Sequence, residues 1–254
     1  MKVAMDNRQG TALVLIDFSA AFDTINHKIM IQRLRLRYGI VGKALGWLQS
    51  YLQNRTQRVV IHDASSNTTC LTSGVPQGSV LGPLLLSLYV QPIGDIIRAH
   101  GLSFHQYADD LQLYCHFDLT ATALATTLRR MEDCLDVVKQ WITSNCLCMN
   151  DNKTKYLHVV PRTAAALVDS SVIRVGDVTI IASRSVRNLG VVMDRHLDLK
   201  KQVSSIVSVC SFHLRRINRM SRYLPMTTKE RVFNAIITSR LDYCNSLLYG
   251  FNKI

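Results

Sequence analysis

The sequence has no CxxC pair, no long hydrophobic run and no leader-like beginning, and each absence closes off a class of protein. Seven cysteines, an odd number, are scattered through 254 residues, and only Cys146 and Cys148 come close together. No set of histidines accompanies them, so zinc is not expected, and the thiols read as buried or free groups of a reducing compartment. The longest mainly apolar stretch, Val80 to Val90, is interrupted by Gly82, Pro83 and Ser87. It falls well short of the roughly 20 residues that span a bilayer. The opening MKVAMDNRQG has no apolar core of the kind a signal peptide needs. The expectation is an intracellular protein, nuclear or cytoplasmic, neither secreted nor held in a membrane. No internal repeat or low-complexity linker divides the chain.

What is present in excess is positive charge. Apolar residues make up 48% of the chain, enough for a real core, while 30 Lys and Arg face only 18 Asp and Glu. The net charge of +12 favours a polyanionic partner. Residues 184–254 hold 13 basic and 4 acidic side chains, a net of +9, against +3 for residues 1–183. Solvated faces of basic helices would give the same numbers. The asymmetry nevertheless suggests a nearly neutral body joined to a basic C-terminal clamp.

Hydrophobic patterning suggests interleaved helices and strands up to about residue 193, then helix alone. A buried strand is predicted over Ala12–Ile16, stopping at Asp17. Helices follow over His27–Arg37 and Gly42–Leu52, and a strand over Gln57–Ile61. GVPQGSVLGP, Gly74 to Pro83, begins as a loop and leads into one long buried helix, Leu84–Ala99. Short strands at Leu102–Tyr107 and Leu111–Cys115 flank Ala108-Asp109-Asp110 as a hairpin. Thr120–Asn145 has one apolar helical face. Tyr156–Val160 reads as a strand, Val172–Ile181 as a hairpin and Val186–Met193 as a further strand. Two basic helices, about Leu199–Tyr223 and Thr227–Leu248, are separated by Pro225.

Three acids lie at the edges of apolar strands: Asp17, Asp109 and Asp110. A carboxylate there is costly unless it is paired. A hairpin turn accounts for Asp109-Asp110 alone and a helix cap for Asp17 alone. A shared cation accounts for both. Hard divalent ions take such oxygen ligands together with substrate phosphates, the arrangement of in-line phosphoryl transfer.

IDFSAAFDTINH (Ile16 to His27), SGVPQGSVLGPLLLSLY (Ser73 to Tyr89) and HQYADDLQLY (His105 to Tyr114) resemble motifs A, B and C of reverse transcriptases, with the nearest likeness to jockey-like, non-LTR (LINE-type) retrotransposons. The resemblance runs on through WITSNCLCMNDNKTK (Trp141 to Lys155) and VRNLGVVMD (Val186 to Asp194) into the basic helices. It implies an α+β fold, a right-hand polymerase palm of antiparallel sheet backed by helices over residues 1–195, then a helical thumb over 196–254. It implies RNA-directed DNA polymerisation on an RNA template and DNA primer duplex, using dNTPs and two Mg2+ ions, with Mn2+ as a substitute.

Carried over residue by residue, the resemblance makes Asp17 and Asp109 the main metal ligands, with Asp110 as third acid and the Phe18 carbonyl as a further ligand. Phe22 matches the aromatic gate against a 2′-hydroxyl. Pro76, Gln77 and Gly78 match the loop under the incoming nucleotide. Lys153 matches the proton donor to pyrophosphate, while Lys155 stands where relatives often carry an acid. Arg215, Arg219 and Arg222, at i, i+4 and i+7, would meet duplex phosphates. Only 16 residues precede Asp17, so the fingers subdomain is expected to be largely missing, and the thumb to be cut short at FNKI. Two alternatives remain beside this reading: a catalytically inactive RNA- or duplex-binding remnant, and a group II intron maturase-type reverse transcriptase. A nucleotide cyclase lacks its Gly-Gly-Asp/Glu-Glu-Phe signature here.

Overall fold

The structure, a computed structural model, describes residues 1–249; the FNKI stretch lies outside the described residues. After a short helix, α1 (Lys2–Asp6), the chain enters its central strand β1 (Gln9–Ser19). Helices α2 (Ala21–Thr24), α3 (His27–Leu36) and α4 (Gly42–Leu52) follow. Two small antiparallel pairs come next, β2 (Thr56–Gln57) with β5 (Thr69–Cys70) and β3 (Val60–Ile61) with β4 (Ala64–Ser65). The single strand predicted over Gln57–Ile61 is thus two exposed fragments. Helices α5 (Gly82–Val90) and α6 (Ile93–Ala99) replace the one long helix predicted there. Pro92 explains the break, because it has no N–H to give and its ring crowds the preceding turn.

The sheet completes itself with β6 (Ser103–Tyr107), β7 (Asp110–Asp118), β8 (Cys148–Met149) and β9 (Lys155–Val159), and the long helix α7 (Ala121–Ser144) lies between β7 and β8 in the chain. The pairings among these strands are antiparallel. β7 flanks β1 on one side and β6 lies beyond it; β9 and then β8 flank β1 on the other. Strand β1 is longer at both ends than predicted, and Asp17 sits inside it rather than at its end. Period-two alternation sends Ala12, Val14, Ile16 and Phe18 into the main core and Leu13, Leu15 and Asp17 to the opposite face.

The main core is sheet against helix. Leu124, Met131, Leu135, Val138 and Ile142 of α7 are buried at helical spacing, with Thr120 capping the helix by accepting from the Ala123 N–H at 3.2 Å. Gly10 lies directly under the Phe117 ring, where any Cβ would collide. The outer face is covered by a smaller cluster of Leu13, Leu157, Val159 and Val186. Val186 comes from a hairpin, β12 (Ser185–Asn188) with β13 (Val191–Asp194), where composition alone suggested one strand. Between β9 and that hairpin stand the short helix α8 (Ala165–Val168) and the hairpin β10 (Val172–Val175) with β11 (Val178–Ile181).

The C-terminal part is helical, as expected, but segmented. α9 (Lys200–Met220) ends in a 3₁₀ turn over Ser221–Tyr223. The predicted second helix is α10 (Met226–Phe233), a π-helical stretch Asn234–Thr238, α11 (Ser239–Asp242) and a 3₁₀ turn Asn245–Leu248. No helix among the described residues is long and apolar enough to cross a membrane.

One buried titratable group makes the fold acid-sensitive. His158 is 1% exposed, with Nε2 bonded to the Tyr156 hydroxyl and, at 2.7 Å, to Ser171 Oγ. Burial, and then the charge of Arg195, push its pKa down to about 4. Its neutral form is the folded one, so the stability it supports is present above the unfolded value near 6.5 and is lost as pH falls towards about 4. The loss should be of order 3 kcal/mol. Urea melts taken across that window should show a smaller decline for His158→Gln than for the wild type.

Candidate active site

The site forms where β1 and β7 pair near the open end of the sheet. Asp17 and Asp110 are direct partners in that ladder. Strands β6 and β7 are joined by the two-residue turn Ala108-Asp109, closed by the Tyr107 and Asp110 pair. The third acid is therefore at the tip of a tight hairpin, next to the other two. Ala108 is held at φ 52°, left-handed without being glycine, a conformation costing roughly 1–2 kcal/mol. Strain of this kind is kept where the surroundings fix it.

The acids bear on one another. Burial first, then the charges of Asp109 and Asp17, hold the Asp110 carboxyl above the usual carboxylate range. Asp17 Oδ2 is shut off from solvent and accepts no hydrogen bond, although Lys153 Nζ forms an ion pair with it at 3.3 Å. Lys153 stands on a turn tied to the same strand, since the Asn150 N–H donates to the Asp17 carbonyl at 2.9 Å. Among the described residues no group of three or more His, Cys, Asp or Glu side chains is gathered closely enough to cage a metal. The donor set fits a hard cation of another kind, one held by one or two carboxylates with substrate oxygens completing its shell. A buried carboxylate oxygen with no hydrogen-bond donor, on a side chain still partly open to the cleft, is what such a cation would satisfy.

One cleft is lined by two of these acids and a second by the loop and helix that follow β1. The first, about 410 Å³, is lined by Asp17, Asp110, Gln112, Lys153, Lys155 and Asn188. Its far wall is the β12–β13 hairpin, fixed by Gln112 Nε2 donating to Asn188 Oδ1 at 2.9 Å. The other, about 1070 Å³, is lined by Asp23, Arg55, Gly74, Val75, Pro76 and Gln77, among others. Here the loop Ser73–Gly78 is joined to the segment after β1. Val75 N–H donates to Phe22 O and Gly74 N–H to Ile25 O, both at 2.8 Å, while His27 Nε2–H donates to Gly74 O at 2.7 Å. Gly74, at φ 85°, lies so close to Asp23 that a Cβ would stand 3.1 Å from its carbonyl oxygen. Phe22 is half-buried against the core, and Gln77 is exposed beside Asp23.

Residues 1–193 match the family described as reverse transcriptase (RNA-dependent DNA polymerase). The chain belongs to that family. The expected likeness to jockey-type elements holds as well. It is 20% identical to the RNA-directed DNA polymerase from mobile element jockey of Drosophila funebris, covering 94% of this chain and 26% of that protein. It is 24% identical to a probable RNA-directed DNA polymerase from transposon BS of Drosophila melanogaster, covering 90% and 25%. The chain thus spans about a quarter of the length of these relatives. In fold it is similar to telomerase from Candida tropicalis in complex with a TWJ fragment of telomeric RNA, with a TM-score of 0.53 and 11% identity over 94% of this chain and 39% of that one. The mixed α and β architecture agrees with a reverse transcriptase palm and thumb.

Within this reverse transcriptase domain, the sequence-predicted residues fall into three groups. Asp17, Asp109, Asp110 and Lys153 come together. Phe22, Pro76, Gln77 and Gly78 form a second group on the adjoining loop and helix. Phe18 pairs through its backbone with Met149, its ring buried on the face opposite Asp17. The basic residues form the third group. Arg215 and Arg219 share a face of α9, whereas Arg222 lies beyond its end in the 3₁₀ turn, over the Tyr223 ring at 4.7 Å, so the predicted i+7 helical register does not reach it. All three are exposed. Sequence reasoning missed Gln112, Asn188 and Asp23. Gln112 had a signal, since it is two residues from Asp110 and so on the same face; Asp23 and Asn188 had none beyond lying inside motifs.

The acids' mutual repulsion gives a test. A carboxyl with a raised folded pKa is stabilising when protonated, at low pH, and that contribution is lost as pH rises through the raised value. At neutral pH the charged cluster therefore costs stability. Asp110→Asn should raise Tm in chelator by roughly 1–3 °C, as expected for removing a like charge opposite another across a ladder. The difference should shrink as pH falls, which scanning calorimetry at two pH values measures.

Proposed function

We propose that this chain is the palm, residues 1–195, and thumb, residues 196–254, of a retrotransposon polymerase that extends a DNA primer on an RNA template. The observation that carries the reading is Asp17 facing Asp110 across the β1–β7 ladder, with Asp109 at the hairpin tip beside them. Asp17 and Asp109, with the Phe18 carbonyl and Asp110, would hold two Mg2+ ions, or Mn2+ in their place. When bound, such ions lower the pKa of an attacking hydroxyl and neutralise the charge of a leaving pyrophosphate.

The rest is the work of the chain itself. The cleft between the acids and the β12–β13 hairpin would seat the primer end, so that its 3′-hydroxyl faces the α-phosphate of a dNTP. Phe22 would lie against the sugar, where an aromatic edge leaves no room for a 2′-hydroxyl. Pro76, Gln77 and Gly78 would support the sugar and base, with Gly78 at φ 77° shaping the loop. Lys153, released from Asp17, would give a proton to the pyrophosphate as it leaves. Arg215, Arg219 and Arg222 would contact phosphates of the duplex without reading its sequence.

Primer extension on an RNA template with Mg2+ tests the reading. The wild-type chain should add dNTPs, and Asp109→Ala should fall by at least about 1000-fold, in line with losing a group that acts on transition-state charge. Equally poor extension by both, with duplex binding retained, would show a binding remnant instead. For the thumb, Arg215→Ala combined with Arg219→Ala should lower the slope of log affinity against log salt by about 2, whatever the duplex sequence.

A further inference from the structure

We infer that Asp23 is a positioning residue that sets which polar atom Gln77 offers to the incoming nucleotide. The inference rests on the polymerase reading and adds to it a residue with no part in metal binding. Gln77 Nε2 lies 3.2 and 3.1 Å from the two carboxylate oxygens of Asp23, across 54 positions of sequence. An ionised carboxylate has only lone pairs to offer, so the amide atom facing it must be the nitrogen. The remaining polar atom of the amide, Oε1, is an acceptor only. Gln77 so held turns its acceptor oxygen away from Asp23, where it can receive a hydrogen bond from a ligand hydroxyl or amino group, while its nitrogen is directed to the carboxylate and keeps at most one N–H for any other partner. An amide left free would sample both orientations and present the wrong one part of the time.

The two sides of this contact differ in rigidity. Asp23 lies in α2, where its N–H donates to the Ala20 carbonyl at 2.9 Å and Gly74 packs against its backbone. Gln77 stands on an exposed loop next to Gly78, around which nothing lies within 4 Å of a would-be Cβ. The fixed acid therefore orients the mobile amide. Both lie at the cleft of about 1070 Å³ where the nucleotide would enter. Phe22, the neighbour of Asp23, is tied to the same loop through Val75. One short segment thus presents an aromatic ring and, through Asp23, an oriented carbonyl oxygen to a single ligand.

A double-mutant cycle on the metal-loaded chain with a primer and RNA template tests this. Asp23→Ala should raise the KM for dNTP about fivefold with kcat changed less, the size expected for one solvent-accessible charge-assisted hydrogen bond. Asp23→Asn, which keeps one acceptor oxygen, should fall between Ala and wild type. Gln77→Met should raise KM at least as far, and Asp23→Ala added to it should do no further harm. Additive losses, or a KM indifferent to Asp23 in variants that melt like the wild type, would overturn the inference. If the wild type extends no primer, the polymerase reading fails, and the same cycle is then read from dNTP binding by tryptophan fluorescence. A chain that binds no dNTP overturns both.

Discussion

The pairing of β1 with β7 is the constraint on which the rest depends. It runs in register from Gln9 opposite Asp118 to Asp17 opposite Asp110, and its last step sets two carboxylates against each other. Like charges directly opposite in a ladder are unfavourable. The preceding pairs overcome that cost, because Ala12, Leu13, Val14, Ile16, Leu111 and Leu113 are all essentially buried. Burying each large aliphatic side chain is worth roughly 1.5–3 kcal/mol. The hydrophobic length of the ladder holds together a charge pair that would separate if left to itself. A one-residue slip of β1 would turn Asp17 into the helix-packed core and away from Asp110, so the same alternation that fixes the core also fixes the site.

Around this ladder, contacts remote in sequence converge on the segment Asp17–Asp23. Asp17 is bound through its carbonyl to Asn150 and through its side chain to Lys153; the carbonyl of Phe22 is bound to Val75, and the side chain of Asp23 to Gln77. With Asp110 across the ladder, three separate motifs therefore reach the same seven residues. Below them, Arg33 lies over the rings of Tyr89 and Trp141 at 4.6 and 5.1 Å and donates to the Tyr89 carbonyl and Asn145. That clamp joins α3, α5 and the end of α7 with no acidic partner, and burial lowers its pKa accordingly. The joints of the platform are backbone hydrogen bonds and packed rings, while the three site acids placed on it are half-buried and Gln77 is exposed.

Most of this frame was legible in the sequence, for identifiable reasons. The unbroken apolar run Ala12–Ile16 stopping at Asp17 marks a buried strand with an acid at its edge, and the helical spacing of Leu124, Met131, Leu135 and Val138 marks the helix behind it. Both are short-range patterns with a single physical origin. The predicted single helix Leu84–Ala99 is divided at Pro92, because a residue with no N–H to give outweighs the continuity of the apolar run around it. The π-helical stretch Asn234–Thr238 left no trace in composition. The Asp23–Gln77 and Gln112–Asn188 contacts depend on how distant segments approach, which no local pattern encodes. The grouping of acids followed from motif order, whereas the orientation of the side chains around them required the fold.

The thumb shows the opposite balance of forces. Its described helices bury only Gln202, Cys210 and Ile237, while Phe212, Met220, Tyr223 and Phe233 remain exposed. Its attachment to the palm is mainly polar. Asp194, itself buried, accepts from the N–H groups of His196, Asp198 and Leu199 and so fixes the entry to α9. Gln202 Oε1 accepts from the Val192 N–H at 2.8 Å, and the Tyr243 hydroxyl donates to the Leu189 carbonyl. A region with so few buried apolar contacts and so many solvent-facing ones belongs to the low-stability end of a protein. Its basic side chains also repel one another, and α9 from Lys200 to Met220 holds no acid to offset them. In the proposed function, a duplex would supply both missing terms, since phosphates neutralise the arginines and the groove gives the helices a surface to lie on. On that proposal, the concentration of charge in the last part of the chain and its sparse core have one origin, a partner that completes this region, whereas the ladder at Asp17 is completed by the chain's own core.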